Sequence, residues 1–146
     1  MSLEVAALRR SVQRLSRRLR DQRPTSGLTM VQLGLMAQLM EHESLRPADL
    51  AARVRTSPQA LTRPLASLTA AGLVERRPDP DDGRQQVLTI SPQGWRALGD
   101  DAAPRDAWLD HALAELTDAE RDVLAIAARL MDRLANHPDL TEETPR

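Results

Sequence analysis

The chain has no cysteine, phenylalanine or tyrosine among its 146 residues, and every one of its 20 basic residues is arginine. Without cysteine there is no disulfide frame, no thiol nucleophile and no cysteine-based zinc site. With two tryptophans as the only aromatic residues, opportunities for ring stacking are few. No stretch approaches the ~18 consecutive apolar residues of a membrane-spanning helix. The opening MSLEVAALRR lacks the apolar run of a signal peptide. A cytoplasmic location and no membrane partner are therefore expected. The three histidines, His42, His111 and His137, are scattered, and His111 and its neighbour Asp110 do not share a helical face. None of GxSxG, GxGxxG, a P-loop or HExxH is present, so no catalytic residue, cofactor or metal is assigned. The length suits a single domain, 1–146, able to bury a core but too short for a separate large catalytic domain.

The most informative stretch runs from Thr56 to Gly94. Leu61, Leu65 and Leu68 fall at i, i+4 and i+7 and form one apolar helical stripe, which leaves Gln59, Thr62, Arg63, Ala66 and Ser67 on or beside the opposite face. Gly72 ends the helix, Val74 to Arg77 read as a strand, Asp79 to Gly83 as a turn, and Val87, Leu88 and Ile90 as a second strand. Upstream, Pro47 to Val54 makes a shorter helix, with Arg55 to Ser57 as a tight link. Ser57 before Pro58 fits an N-cap followed by proline at the first helical position, and Thr56 with Gln59 offers an alternative capping box. The sum is a helix-turn-helix running into a β-wing. Pro64 is the discordant residue. It removes the N–H that would bond the Ala60 carbonyl, so either the helix begins late or it is kinked, and the kink is favoured because Ser57-Pro58 is already a good start.

The flanks carry apolar stripes of their own. Leu8, Val12, Leu15 and Leu19 are spaced like a coiled-coil seam, too short to stand alone. Thr117 and Glu120 make a capping box opening a helix with Val123, Leu124, Ala127, Met131 and Leu134 on one face, stopped at Asn136 and Pro138. Ser91-Pro92 caps a long helix bearing Trp95, Leu98, Leu109, Ala112, Leu113 and Leu116, bent or broken near Pro104. A homodimer built on these end helices is expected. Thr29 and Gln32 form a further capping box that opens the second helix.

Net charge is −1, but its distribution is uneven. Residues 1–20 hold six arginines against Glu4, and residues 100–146 hold twelve acids against five arginines, so the two ends attract one another. Residues 46–84 hold seven arginines against five acids, three of which are Asp79, Asp81 and Asp82 in the turn. An all-arginine complement favours bidentate phosphate and guanine contacts, although a GC-rich genome explains it equally well.

The run ALTRPLASLTAAGLVER followed by DGRQQVLTIS closely resembles the recognition helix and wing of the MarR family of bacterial transcription regulators. Asp82 and Arg84 match the family's Asp-x-Arg wing signature, and Ile90 to Gly94 loosely match its Leu-Thr-x-x-Gly. The resemblance implies a mainly α fold with a small β-wing (α+β): a winged helix-turn-helix lobe at 28–94, dimerisation helices at 1–22 and 95–137, and a tail at 138–146. It implies a homodimeric repressor of a pseudo-palindromic double-stranded DNA operator. In the major groove the candidates are Gln59, Thr62 and Arg63, and in the minor groove Arg84, with Asp82 holding the wing tip or Arg84 in place. Arg55, Ser57, Ser67, Arg76 and Arg77 complete the candidate DNA contacts. Relatives that sense peroxide do so through a cysteine, which this chain lacks. Family members also hold small aromatic or phenolic effectors, for which Met30, Met36 and Met40 offer a pliable lining, with core packing the competing reading. Two alternatives stand beside this. One is zinc sensing through Glu41, His42 and His111, a thin ligand shell. The other is a winged helix used only for protein interaction.

Overall fold

A computed structural model describes residues 4–25 and 27–137; the tail expected at 138–146 lies outside them. In chain order the described elements are α1 (Val5–Asp21), α2 (Met30–Glu41), α3 (Pro47–Arg53), α4 (Pro58–Ala70), β1 (Val74–Pro78), β2 (Gln86–Ile90), α5 (Pro92–Ala114) and α6 (Asp118–Ala135). This is the expected mainly helical fold with a two-stranded wing. The chain divides into two compact units between Asp106 and Ala107, each described below by itself.

The first unit holds the core. The middle of α2 is apolar on almost every side, and Leu35, Met36 and Leu39 are sealed inside. Leu50 and Ala51 of α3 and the expected stripe of α4, Leu61, Leu65 and Leu68, close on them. β1 and β2 pair antiparallel with Val74 opposite Ile90 and Pro78 opposite Gln86, and Val74 and Leu88 complete the core. Leu45 adds a single two-way bridge to Leu88, a third edge of the wing that the sequence did not announce.

The capping signals are realised. Thr29 and Gln32 form a reciprocal box at α2, as do Thr117 and Glu120 at α6. Ser57 accepts from Ala60 N at α4, with Pro58 in the first turn, so the alternative box from Thr56 is not used. At each interior proline one of the two expected alternatives falls away. α5 runs unbroken through Pro104, and α4 is continuous from Pro58, so it does not begin late. The carbonyls these prolines orphan belong to Asp100 and Ala60, both exposed residues. The three methionines do not share a cavity either. Met36 is buried in the core, while Met30 and Met40 are exposed. Met30 and Met36 are about 240° apart around a helix of 3.6 residues per turn, so they face different surroundings.

The start of α5 is joined tightly to the end of α4. The Ser91 hydroxyl donates to the Gly72 carbonyl and accepts from Gly94 N at 2.9 Å, while Ser91 N donates to the Leu73 carbonyl at 3.0 Å. This closeness requires glycine at position 94: a Cβ there would stand 2.1 Å from the Leu73 carbonyl oxygen and 2.8 Å from Ile90 Cγ2. Gly94→Ala should therefore cost about 1–3 kcal/mol in urea unfolding, since backbone cannot yield as a side chain can. Gly99→Ala, where nothing lies within 4 Å, should be neutral or slightly stabilising in the same helix. Equal effects at the two sites would show that the close approach is not what selects glycine.

α1 and α6 are each amphipathic, yet neither buries a single residue. On α1, Val12 and Leu15 are 42% and 46% exposed; on α6, Val123 and Leu124 are 64% and 44% exposed. In the second unit the apolar positions Leu109, Ala112, Leu113 and Leu116 are half-buried.

Candidate nucleic-acid interface

The core stripe of α4 fixes which of its side chains face outward. With Leu61, Leu65 and Leu68 turned in, Gln59, Thr62, Arg63 and Ala66 lie on the exposed side. Gln59 and Arg63 make no side-chain bond among the described residues, so their donors and acceptors are open to a partner. Thr62 donates weakly back to the Pro58 carbonyl at 3.4 Å. Ser57 caps the helix, and Ser67 accepts from Gln32 Nε2 at 3.1 Å, which places it on the α2 side of the outward face.

The link between α3 and α4 contains a feature the sequence did not reveal. Arg55 has φ 52°, the only positive φ outside glycine among the described residues. This left-handed conformation costs a side-chain-bearing residue of order 1 kcal/mol and is held by the fixed packing of the two helices. It leaves the Arg55 side chain exposed in the turn.

At the wing tip, Asp82 is a fastener. Its Oδ1 accepts from Arg84 N and its Oδ2 from Gln85 Nε2, both at 3.1 Å, and its carbonyl accepts from Gln85 N at 2.9 Å. It therefore holds the backbone of Arg84 and leaves the guanidinium exposed, with no partner among the described residues. The two strand arginines differ. Arg76 is exposed and unpaired, whereas Arg77 donates to Glu75 Oε2 at 2.7 and 3.2 Å and so has part of its charge answered locally.

Two buried carboxylates were missed. Asp79, read only as a turn residue, is 6% exposed and takes Arg46 Nε at 2.6 Å on Oδ2 and Asp81 N at 2.9 Å on Oδ1. The Asp81 N–H and then the Arg46 guanidinium hold its carboxyl below the usual carboxylate range, and Arg46 is raised in return. Asp101 in α5 is 3% exposed and lies 2.8 Å from both Arg23 and Arg105. Burial pushes this carboxyl up, but the bonds from the two guanidiniums outweigh it and the net displacement is downward. Arg23 also donates to the Leu28 carbonyl at 2.6 Å and so ties the chain before α2 to α5.

Beside this pair is an open cavity of about 550 Å³, lined by Leu28, Gln32, Ala71, Leu73, Ala97, Asp100 and Asp101 among others. Among the described residues no group of three or more histidine, aspartate or glutamate side chains is arranged to hold a metal ion. Nor is any helix long and apolar enough to cross a membrane.

Comparison with known proteins bears on the family and the fold. Residues 26–85 match a family model described as MarR family. The chain is 40% identical over 121 residues to an HTH-type transcriptional regulator of Mycobacterium tuberculosis, covering 83% of this chain and 85% of that one. It is 28% identical over 117 residues to the HTH-type transcriptional repressor MdtR of Bacillus subtilis, covering 80% and 74%. A crystal structure of a putative transcriptional regulator from Pseudomonas aeruginosa superposes with a TM-score of 0.74 at 33% identity, over 91% of this chain and 94% of that one.

Proposed function

This chain belongs to the MarR family of transcriptional regulators, and on that premise we propose that it is a cytoplasmic homodimeric repressor, released from its operator by a small-molecule effector. The observation that carries the DNA-binding part is the pairing of two open cationic groups on one lobe. Arg63 projects from the outward face of α4, and Arg84 projects from a wing tip whose backbone Asp82 holds in place.

In this reading α4 enters the major groove. Arg63 addresses guanine through its two-pronged guanidinium, and Gln59 and Thr62 address neighbouring base edges. Arg84 enters the adjacent minor groove, where narrow A·T-rich segments concentrate negative potential. Arg55, Ser57, Ser67, Arg76 and Arg77 contact phosphates and set the register. Arg77 contributes less than Arg76, because Glu75 already answers its charge. Regulation as a repressor is supported by the likeness to MdtR. The cavity beside Asp101 supports an effector, taken here as a small aromatic or phenolic molecule. A ligand there would touch Ala71 and Leu73, where the recognition helix passes into the wing. A partner copy is supported by the uncovered apolar stripes on α1 and on α6.

Arg84→Ala should weaken operator binding by roughly 1–3 kcal/mol and lower the slope of log affinity against log salt by about one unit, since one phosphate-region cation is lost. Titration of labelled operator at several salt concentrations measures both. Unchanged affinity with an unchanged slope would remove the wing from the mechanism.

A further inference from the structure

Arg46 stands at the N-cap of α3, where serine, threonine, aspartate or asparagine ordinarily binds the first turn, and it supplies no such bond. Its guanidinium instead crosses 33 residues of sequence to Asp79, placing Nε and Nη2 each 2.6 Å from Oδ2. The preceding residue, Leu45, exchanges both backbone hydrogen bonds with Leu88 in the middle of β2. Two consecutive residues thus fasten the helix-turn-helix to the middle of β2 and to the first residue of the wing turn, just past β1. The other Asp79 oxygen accepts from Asp81 N, and Asp79 N donates to the Gln85 carbonyl, closing the turn that holds Asp82 and Arg84. α3 in turn packs on both α4 and β2. A continuous chain of contacts therefore runs from the recognition helix through α3 and Arg46 to Asp79 and the tip.

We infer that Arg46 and Asp79 are positioning residues for DNA recognition: their ion pair sets the wing tip relative to α4, so that Arg84 and the recognition helix engage one half-site together. The inference rests on the reading above in which Arg84 enters the minor groove. An ion pair that serves only stability would leave the work of Arg84 untouched, and the two roles separate by sign. Asp79→Asn preserves shape and an acceptor for Asp81 N while removing a negative charge from the DNA-facing lobe. Charge alone then makes DNA binding tighter, so a loss can come only from displacement of the wing.

The test is a double-mutant cycle between Asp79→Asn and Arg84→Ala, read by operator titration across salt concentrations, with unfolding midpoints confirming folded protein at the assay temperature. The expected result is that Asp79→Asn binds about tenfold more weakly with the salt slope lowered by about one unit, and that adding Arg84→Ala costs little more. If Asp79→Asn does not fold, Arg46→Gln takes its place, since that side chain is already 38% exposed and its shortening leaves no large buried void. Arg46→Gln should likewise abolish most of the Arg84→Ala penalty. Unchanged or tighter binding by Asp79→Asn, with the full Arg84→Ala penalty retained, would overturn the inference alone. A wild-type background in which Arg84→Ala costs nothing would overturn the minor-groove reading and the inference with it.

Discussion

Leu124→Asp should convert the proposed dimer to monomer and abolish tight operator binding, and Leu15→Asp should do the same. Leu15 and Leu124 are 46% and 44% exposed in the single chain, on two helices that bury nothing. Apolar rows left open in this way are what a partner copy covers. A carboxylate placed in a covered seam has no counter-ion, and the penalty is several kcal/mol. DNA binding fails with the dimer because each lobe then holds a half-site alone, without the gain from simultaneous engagement. Sedimentation velocity and operator titration on the same sample read both effects. A variant that stays folded, dimeric and tightly bound would show that these stripes are not the seam.

Asp101→Ala should destabilise the protein by about 3–5 kcal/mol, because it strands two guanidiniums that are themselves largely buried. Arg23 and Arg105 retain 14% and 20% of their side-chain exposure, so water cannot fully replace the carboxylate. Urea unfolding at neutral pH measures the loss. The pH dependence gives a second check with a definite sign. The Asp101 carboxyl lies below its ordinary value in the folded state, so its contribution is present above about pH 4 and disappears as pH falls through the folded value. The wild type should therefore lose more stability than Asp101→Ala on going from neutral pH to about pH 3. A loss of under about 1 kcal/mol at neutral pH, the level of an exposed pair, would mean that water reaches the arginines.

Much of the fold follows from rules that reach only four residues along the chain. The α4 stripe, the boxes at Thr29 and Thr117, the Ser57-Pro58 start and the two wing strands are all local patterns, and the structure contains each of them. What escaped was long-range or depended on surroundings. Arg23 meets Asp101 across 78 residues and Arg46 meets Asp79 across 33, distances over which sequence spacing carries no geometric information. Asp79 looked like its turn neighbours Asp81 and Asp82, and only the third dimension shows that it alone is buried. Pro64 and Pro104 each left two alternatives open along the chain, and the continuous helices remove the late start at Pro64 and the break at Pro104. Of the DNA-binding candidates, exposure and open bonding groups are visible for Gln59, Arg63, Arg76 and Arg84, while Asp82 holds the tip through the backbone of Arg84.

The most direct measurement is selection of bound sequences from random double-stranded DNA with the purified protein, at physiological salt. The account predicts enrichment of a pseudo-palindrome whose half-sites lie about one helical turn apart, ~10 bp centre to centre, with G in the major-groove positions facing Arg63 and A·T-rich flanks facing Arg84. Failure to enrich any sequence, with no salt-dependent binding to DNA, would contradict it and leave the winged helix as a protein-interaction module.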